Sequence, residues 1–273
     1  MTSIPHIGPI PQIGFGTWNR HGDEARKGVL CALETGYRHI DTAEGYDNEE
    51  FVGQAIAESG VARDDIFLTT KVAPESFGPG CIRPAVERSL EKLRVDQVDL
   101  LLLHYPSIND GYAIEDYIGQ FAEVYDTKLT RHIGVSNFTV RHIDRARALL
   151  GDRAITTNQV ELHPYLRNAP IVEHCRTLGI PLTAYSPLAR GAVADDEVLQ
   201  RIAEEKRATP AQIALAFLLA ERHVVIPSSA SPERIASNFA AKDIQLSAAD
   251  LDAIRALDEN RRLVDGPWCP TWD

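Results

Sequence analysis

Apolar residues along this chain fall into two alternating kinds of stretch. One kind is short, dense and rich in β-branched and aromatic residues: IGFGTW (13–18), YRHID (37–41), IFLTTKV (66–72), VDLLLLHY (98–105), HIGVS (132–136), TTNQVEL (156–162), LTAYS (182–186) and VVIPS (224–228). Such runs predict strands. Between them lie longer segments with apolar residues three and four apart, such as EARKGVLCALETG and CIRPAVERSLEKLRV, which predict amphipathic helices. Some helix starts are explicit. Thr209-Pro210-Ala211-Gln212 reads as a capping box with proline at the first helical position. Ser247 and Asp250 cap a second helix, with Leu246 and Leu251 spaced as a hydrophobic staple, and Ser231 before Pro232 caps a third.

Eight strands, each followed by a helix-sized segment, predict an α/β fold of the (β/α)8 TIM-barrel type, with its active site at the C-terminal ends of the strands. The expected organisation is a single domain over 1–273, with a short N-terminal segment at 1–12 and a C-terminal loop or tail at 259–273. The rival is a doubly wound sheet. It would show a glycine-rich turn after the first strand, and Gly14-Phe15-Gly16-Thr17-Trp18-Asn19 lacks the third glycine.

Composition narrows the class. The chain has 273 residues, 44% hydrophobic and 25% charged, which is ample for a proper core. No stretch approaches the roughly 20 apolar residues of a membrane span, and MTSIPHIGPIPQ carries no signal-peptide pattern. A cytoplasmic protein is expected, with no membrane partner and acting as a monomer. A net charge of −11 argues against nucleic acid, whose binding needs a basic face. Cys31, Cys81, Cys175 and Cys269 are scattered, and read as free thiols that mostly fill the core.

Polar residues collect at the ends of the predicted strands. HIDTAEGY supplies Asp41 and Tyr46, LTTKV supplies Lys71, and the leucine run breaks into His104. Further strands end in Ser136 and Asn137, in Asn158, Gln159 and Glu161, in Tyr185 and Ser186, and in Ser228 and Ser229. In a barrel this is the face where active sites are built. Asp41, Tyr46, Lys71 and His104 come from three consecutive strand ends, so they can share one site. A carboxylate pairs with a lysine, and the ammonium favours the phenolate of a nearby tyrosine, lowering its pKa. Such a tyrosine can give a proton to an oxygen gaining negative charge, while a histidine orients that oxygen. This set suits carbonyl reduction, provided that something else supplies hydride.

GFGTW, HIDTAEGYDNEEFVGQAI, LTTKV, DLLLLHYP, IGVSNF, TNQVELHPY, TAYSPL and VIPSS…RIASN resemble, in order and spacing, the successive signatures of the aldo-keto reductases. The likeness is strongest to the prokaryotic branch that reduces 2,5-diketo-gluconate and small 2-oxoaldehydes such as methylglyoxal. It implies NADPH-dependent reduction of an aldehyde, 2-oxoaldehyde or keto-sugar acid, with the cofactor bound without a Rossmann motif. Tyr46 would be the general acid, Lys71 and Asp41 would tune it, and His104 would orient the carbonyl. Ser136, Asn137 and Gln159 would bond the carboxamide, and Tyr185 would stack on the nicotinamide. Ser186, Pro187, Leu188 and Ala189 would line the pyrophosphate. Ser228, Ser229, Arg234 and Asn238 would hold the adenosine end, and Gly16, Thr17, Trp18, Asp41 and Ile226 complete the implied cofactor contacts.

Two positions depart from the family pattern. Tyr105 stands where many relatives have tryptophan, which alters the pocket and not the chemistry. Ser228 stands where relatives commonly carry a lysine for the 2′-phosphate, so NADPH is expected with NADH as a possible second cofactor. A substrate wall of Trp18, Tyr46, His104, Tyr105 and Trp268, joined by Trp272, is expected, and the negative net charge gives a sugar acid no long-range attraction. Two other readings stay open. His39 and Asp41 on one strand, with His104, His132 and His163 near other strand ends, could serve a metal-dependent hydrolase. The same fold could also be a non-enzymatic cofactor sensor.

Overall fold

The computed structural model describes residues 4–273. An antiparallel hairpin of β1 (His6–Ile7) and β2 (Ile10–Pro11) leads into eight parallel strands. These are β3 (Phe15–Gly16), β4 (His39–Asp41), β5 (Phe67–Val72), β6 (Val98–Leu103), β7 (Thr130–Ser136), β8 (Ile155–Glu161), β9 (Leu182–Tyr185) and β10 (Val224–Val225). Each strand lies beside the next in the chain. The two ends of the sheet also touch. Gly14 N–H donates to Val225 O at 2.8 Å, Val225 N–H to Gln12 O at 2.9 Å, and Gly16 N–H to Pro227 O at 3.0 Å. Gly16 permits this approach, because a Cβ there would sit 2.7 Å from the Ile226 carbonyl oxygen.

One helix follows each strand from β3 to β8: α1 (Gly22–Thr35), α2 (Glu49–Glu58), α3 (Ile82–Leu93), α4 (Ile114–Asp126), α5 (Val140–Leu150) and α6 (Ala169–Leu178). Two follow β9, α7 (Glu197–Lys206) and α8 (Pro210–Ala220), and two follow β10, α9 (Pro232–Ala240) and α10 (Ala248–Arg255). The expected caps are present. Thr209 with Gln212, and Ser247 with Asp250, form capping boxes, and the Ser231 hydroxyl accepts from Arg234 N–H.

The four-leucine run has a two-sided explanation. Leu100 and Leu102 point into the curl of the sheet, where they pack with Ile10 and Val224. Leu101 and Leu103 point outward into the large core beneath the helices. A period of two with both faces apolar reads as a continuous run. The segment before residue 13 is therefore more than a leader: its hairpin brings Ile10 and Ile7 against this inner cluster.

Six strands are shorter than the sequence suggests, β5 and β9 by one residue, β4 and β6 by two, and β3 and β10 by more. The first spans Phe15–Gly16, the second His39–Asp41, and the last stops at Val225, two residues before Pro227, whose ring nitrogen has no proton to donate. The cysteines are free, but only Cys175 is fully buried; Cys31 and Cys269 are half-buried and Cys81 is exposed.

A tight contact between α2 and the end of α3 offers a test of this packing. A Cβ on Gly53 would meet the backbone carbonyls of Leu93 and Lys92 at 2.6 Å. Backbone cannot rotate aside as a side chain can. Gly53→Ala is expected to destabilise the protein by about 1–3 kcal/mol, seen as a lower urea midpoint; an unchanged midpoint would refute the close packing.

Candidate active site

Asp41 is the last residue of β4, and Lys71 lies next to last in β5, the neighbouring strand. Both are buried, at 1% exposure. The Lys71 ammonium has three protons, and each has an acceptor. Nζ lies 2.5 Å from Asp41 Oδ1, 2.8 Å from Thr42 O and 3.3 Å from the Tyr46 hydroxyl. The second Asp41 oxygen accepts from Gln159 Nε2 at 2.8 Å. Tyr46 belongs to a single helical turn after β4, Glu44–Tyr46, and buried Asn48 follows it closely in the chain. Asn48 accepts from the Thr42 hydroxyl and donates to Thr17 O and Arg20 O. The His104 ring, just beyond β6, stands edge-on to the Tyr46 ring with centroids 5.4 Å apart.

Electrostatics here correct one expectation. Burial, aided by the Asp41 charge, pushes the Tyr46 hydroxyl well above its ordinary value rather than below it. Desolvation of the phenolate outweighs the ammonium. Burial likewise depresses Lys71, against the pull of Asp41. Burial and the Lys71 charge hold His104 well below its ordinary value, so its imidazole is neutral. The cluster at neutral pH is therefore a protonated phenol and a neutral imidazole beside a lysine–aspartate pair.

The residues that the family resemblance assigns to a cofactor lie along the ends of β7 to β10. Ser136 Oγ donates to Gln159 O, and Asn137 Nδ2 donates to His104 O and Ser136 Oγ. The Tyr185 hydroxyl donates to Asn137 Oδ1 at 2.8 Å. Ser186 and Ala189 adopt left-handed backbone, as does Arg190, so the loop carrying Pro187 and Leu188 turns sharply. Beyond β10, Ser229 Oγ accepts from Arg234 Nε and from Ser231 N–H at the start of α9, and Asn238 is buried further along that helix. Ser228 Oγ is buried without a hydrogen-bond partner. Thr17 is buried, its hydroxyl on Asp41 O, and Ile226 is buried beside Gly16.

Aromatic residues rim this face unequally. Trp18 and Trp268 are half exposed, at 53% and 47%. The Tyr105 side chain lies beside Trp268 and Tyr185, and its ring lies 5.3 Å from that of His104. Trp272 does not join this wall in the expected way: its indole N–H donates to Asp265, and its ring covers the Arg262 guanidinium at 3.8 Å. Arg190, which the sequence reading passed over, lies 5.7 Å above the Trp18 ring. Asn48 and Thr42 were also missed, because Asn48 holds the backbone of Thr17 and Arg20 and Thr42 meets Lys71 through its carbonyl, which any residue carries. His39, the suggested metal ligand, spends Nε2 on the Thr69 hydroxyl, and burial pushes it down to about 4. Among the described residues no three His, Cys, Asp or Glu side chains form a group able to hold a metal ion.

Comparison with known proteins agrees with this geometry. Residues 12–259 match the Aldo/keto reductase family. The chain is 46% identical to methylglyoxal reductase DkgB of Salmonella typhi over 265 residues, covering 97% of this chain and 99% of that protein. It is 41% identical to glyoxal reductase of Bacillus subtilis, covering 94% and 92%. A solved structure assigned provisionally as a 2,5-diketo-D-gluconic acid reductase B superposes with a TM-score of 0.92 at 39% identity, over 97% and 94% of the two chains. With eight parallel strands in a curled sheet and a lysine–aspartate–tyrosine–histidine cluster at their C-terminal ends, the chain belongs to the aldo/keto reductase family and is an oxidoreductase.

Proposed function

We propose that the protein reduces the carbonyl of a small aldehyde, 2-oxoaldehyde or keto-sugar acid to the alcohol, with Tyr46 as general acid. The observation that carries this reading is the Lys71 ammonium, buried and with Nζ 3.3 Å from the Tyr46 hydroxyl. The nicotinamide cofactor, when bound, supplies hydride to the carbonyl carbon. Tyr46 then gives its phenolic proton to the carbonyl oxygen, and Lys71 stabilises the phenolate left behind. Asp41 and Thr42 O keep the lysine aimed. Neutral His104 orients the carbonyl oxygen without adding a charge. Trp268 and Tyr105 form an apolar wall for the rest of the substrate, and the same reading takes the sheet as a closed barrel in one domain, a cytoplasmic monomer.

The residues beyond β10 fit a cofactor's adenosine end. Ser228 Oγ is a buried hydroxyl awaiting a partner, and the start of α9 presents backbone N–H groups that favour an anion. Nearer the lysine, Asn137 and Gln159 offer amides of the kind that pair with a carboxamide. Turnover of methylglyoxal with NADPH, and its absence without cofactor, tests the reading directly; no turnover of any small aldehyde with either nicotinamide would sink it.

Cofactor preference follows from position 228. A lysine there would meet the 2′-phosphate as a point charge; serine leaves that to exposed Arg234, Ser229, Ser231 and the helix start. A charge-assisted contact is worth about 1.5–3 kcal/mol, or roughly ten- to a hundredfold in affinity. We expect NADPH to bind more tightly than NADH by a reduced margin. Ser228→Lys should tighten NADPH and leave NADH alone, and Arg234→Ala should bring the two together, both read by fluorescence titration. If Arg234→Ala weakened NADH as much as NADPH, the phosphate site would lie elsewhere.

A further inference from the structure

The chain after α10 contains no helix, yet it is fastened at its root, middle and tip. At its root, Glu259 N–H and Arg261 N–H donate to Tyr165 O, and the Arg261 guanidinium covers the Tyr165 ring at 4.2 Å. At its tip, the Asp273 side-chain carboxylate accepts from Val140 N–H at the start of α5. Between them the fastening is buried. Glu161, the last residue of β8 and fully buried, accepts from Leu263 N–H with Oε1 and from Val264 N–H with Oε2, both at 2.9 Å. His163 Nε2 lies 3.0 Å from the same Oε1, and Asn168, bonded to Glu161 O, also meets Arg262. A carboxylate gripping two consecutive backbone N–H groups in a dry site fixes both position and direction of the strap.

The place of Glu161 gives this grip a consequence. It lies two residues beyond Gln159 on the same face of β8, and Gln159 holds Asp41. Five residues beyond Leu263 the strap carries Trp268, which lies beside Tyr105, and the Tyr105 ring packs against His104. We propose that Glu161 is a positioning residue for substrate, acting through the tail. By seating Leu263 and Val264 it sets Trp268 against Tyr105 and so shapes the wall beside His104. This rests on the reductase reading above for its kinetic consequence, and on the geometry alone for the seating itself.

Glu161→Gln keeps the size but replaces one acceptor oxygen by a donor, leaving a tail N–H without its buried partner. We expect KM for a small carbonyl substrate to rise by roughly tenfold, with kcat within about twofold and NADPH affinity unchanged. Two of the three tryptophans, Trp268 and Trp272, ride on the strap, so acrylamide quenching of tryptophan emission should increase without any substrate. The KM effects of Glu161→Gln and Trp268→Ala should fail to add, since both act through one side chain. Val264→Pro, which deletes one donor from the tail side and leaves β8 intact, should reproduce the quenching and KM changes even if the glutamine variant does not fold. Wild-type quenching and KM in either folded variant would overturn the proposal, as would additive effects with Trp268→Ala or an equal loss of NADPH affinity. If wild-type protein reduces no carbonyl, the reductase reading fails, and the seating still stands or falls by the quenching result.

Discussion

Tyr46→Phe is expected to lower carbonyl reduction by about 10²–10⁴-fold in kcat, with NADPH affinity unchanged. Phenylalanine keeps the ring that faces His104 and removes the hydroxyl to which Lys71 donates, with its proton. The pH dependence adds a second signature. Burial raises the Tyr46 hydroxyl above its ordinary value of 10.0, and burial with Lys71 lowers His104 below 6.5. Between those two values neither group changes its protonation, so neither Tyr46 nor His104 should give the chemical step in wild type a slope across that range. Rapid-mixing measurements under single-turnover conditions read both effects. Near wild-type chemistry in the phenylalanine variant would remove Tyr46 from the role of acid, and a steep slope near neutral pH that His104→Ala abolishes would mean that His104 titrates in turnover.

Lys71→Met should be comparably damaging, and for two separable reasons. Catalytically it deletes the charge that stabilises the phenolate once the proton has left. Structurally it strands the Asp41 carboxylate, 1% exposed, with Gln159 as its remaining side-chain donor. Removing one partner of a buried ion pair costs about 3–5 kcal/mol, so the variant should unfold at clearly lower urea. Asp41→Asn with Lys71→Met removes both charges and should recover most of that stability while remaining inactive. Urea titrations of the single and double variants, with kcat for each, separate the two effects. A single variant that kept both wild-type stability and turnover would refute the arrangement. A double variant that regained activity would show that the lysine serves only to balance Asp41.

Much of this protein could be read from short stretches of its chain. Strand positions, helix starts at Thr209, Ser231 and Ser247, and the polar strand ends all depend on neighbours a few residues apart. That is the range over which periodicity and capping act. The order of the sheet follows as well, since a parallel strand beside its predecessor needs a crossover of helix length, and the chain supplies one each time. Asp41, Tyr46, Lys71 and His104 were legible for the same reason: each ends, or closely follows, an apolar run.

The tertiary structure alone decided the rest. The contact of Gly14 with Val225 joins residues far apart in the chain, and the grip of Glu161 on Leu263 and Val264 spans about a hundred positions. Neither leaves a local pattern, because a single glycine or glutamate carries no period. The protonation state of Tyr46 was also out of reach. A nearby ammonium lowers a phenol's pKa and burial raises it, and only the assembled site shows how little water remains. Sequence pattern records which side chains want to leave water; how completely each one does so, and which distant backbone it meets there, is a property of the whole fold.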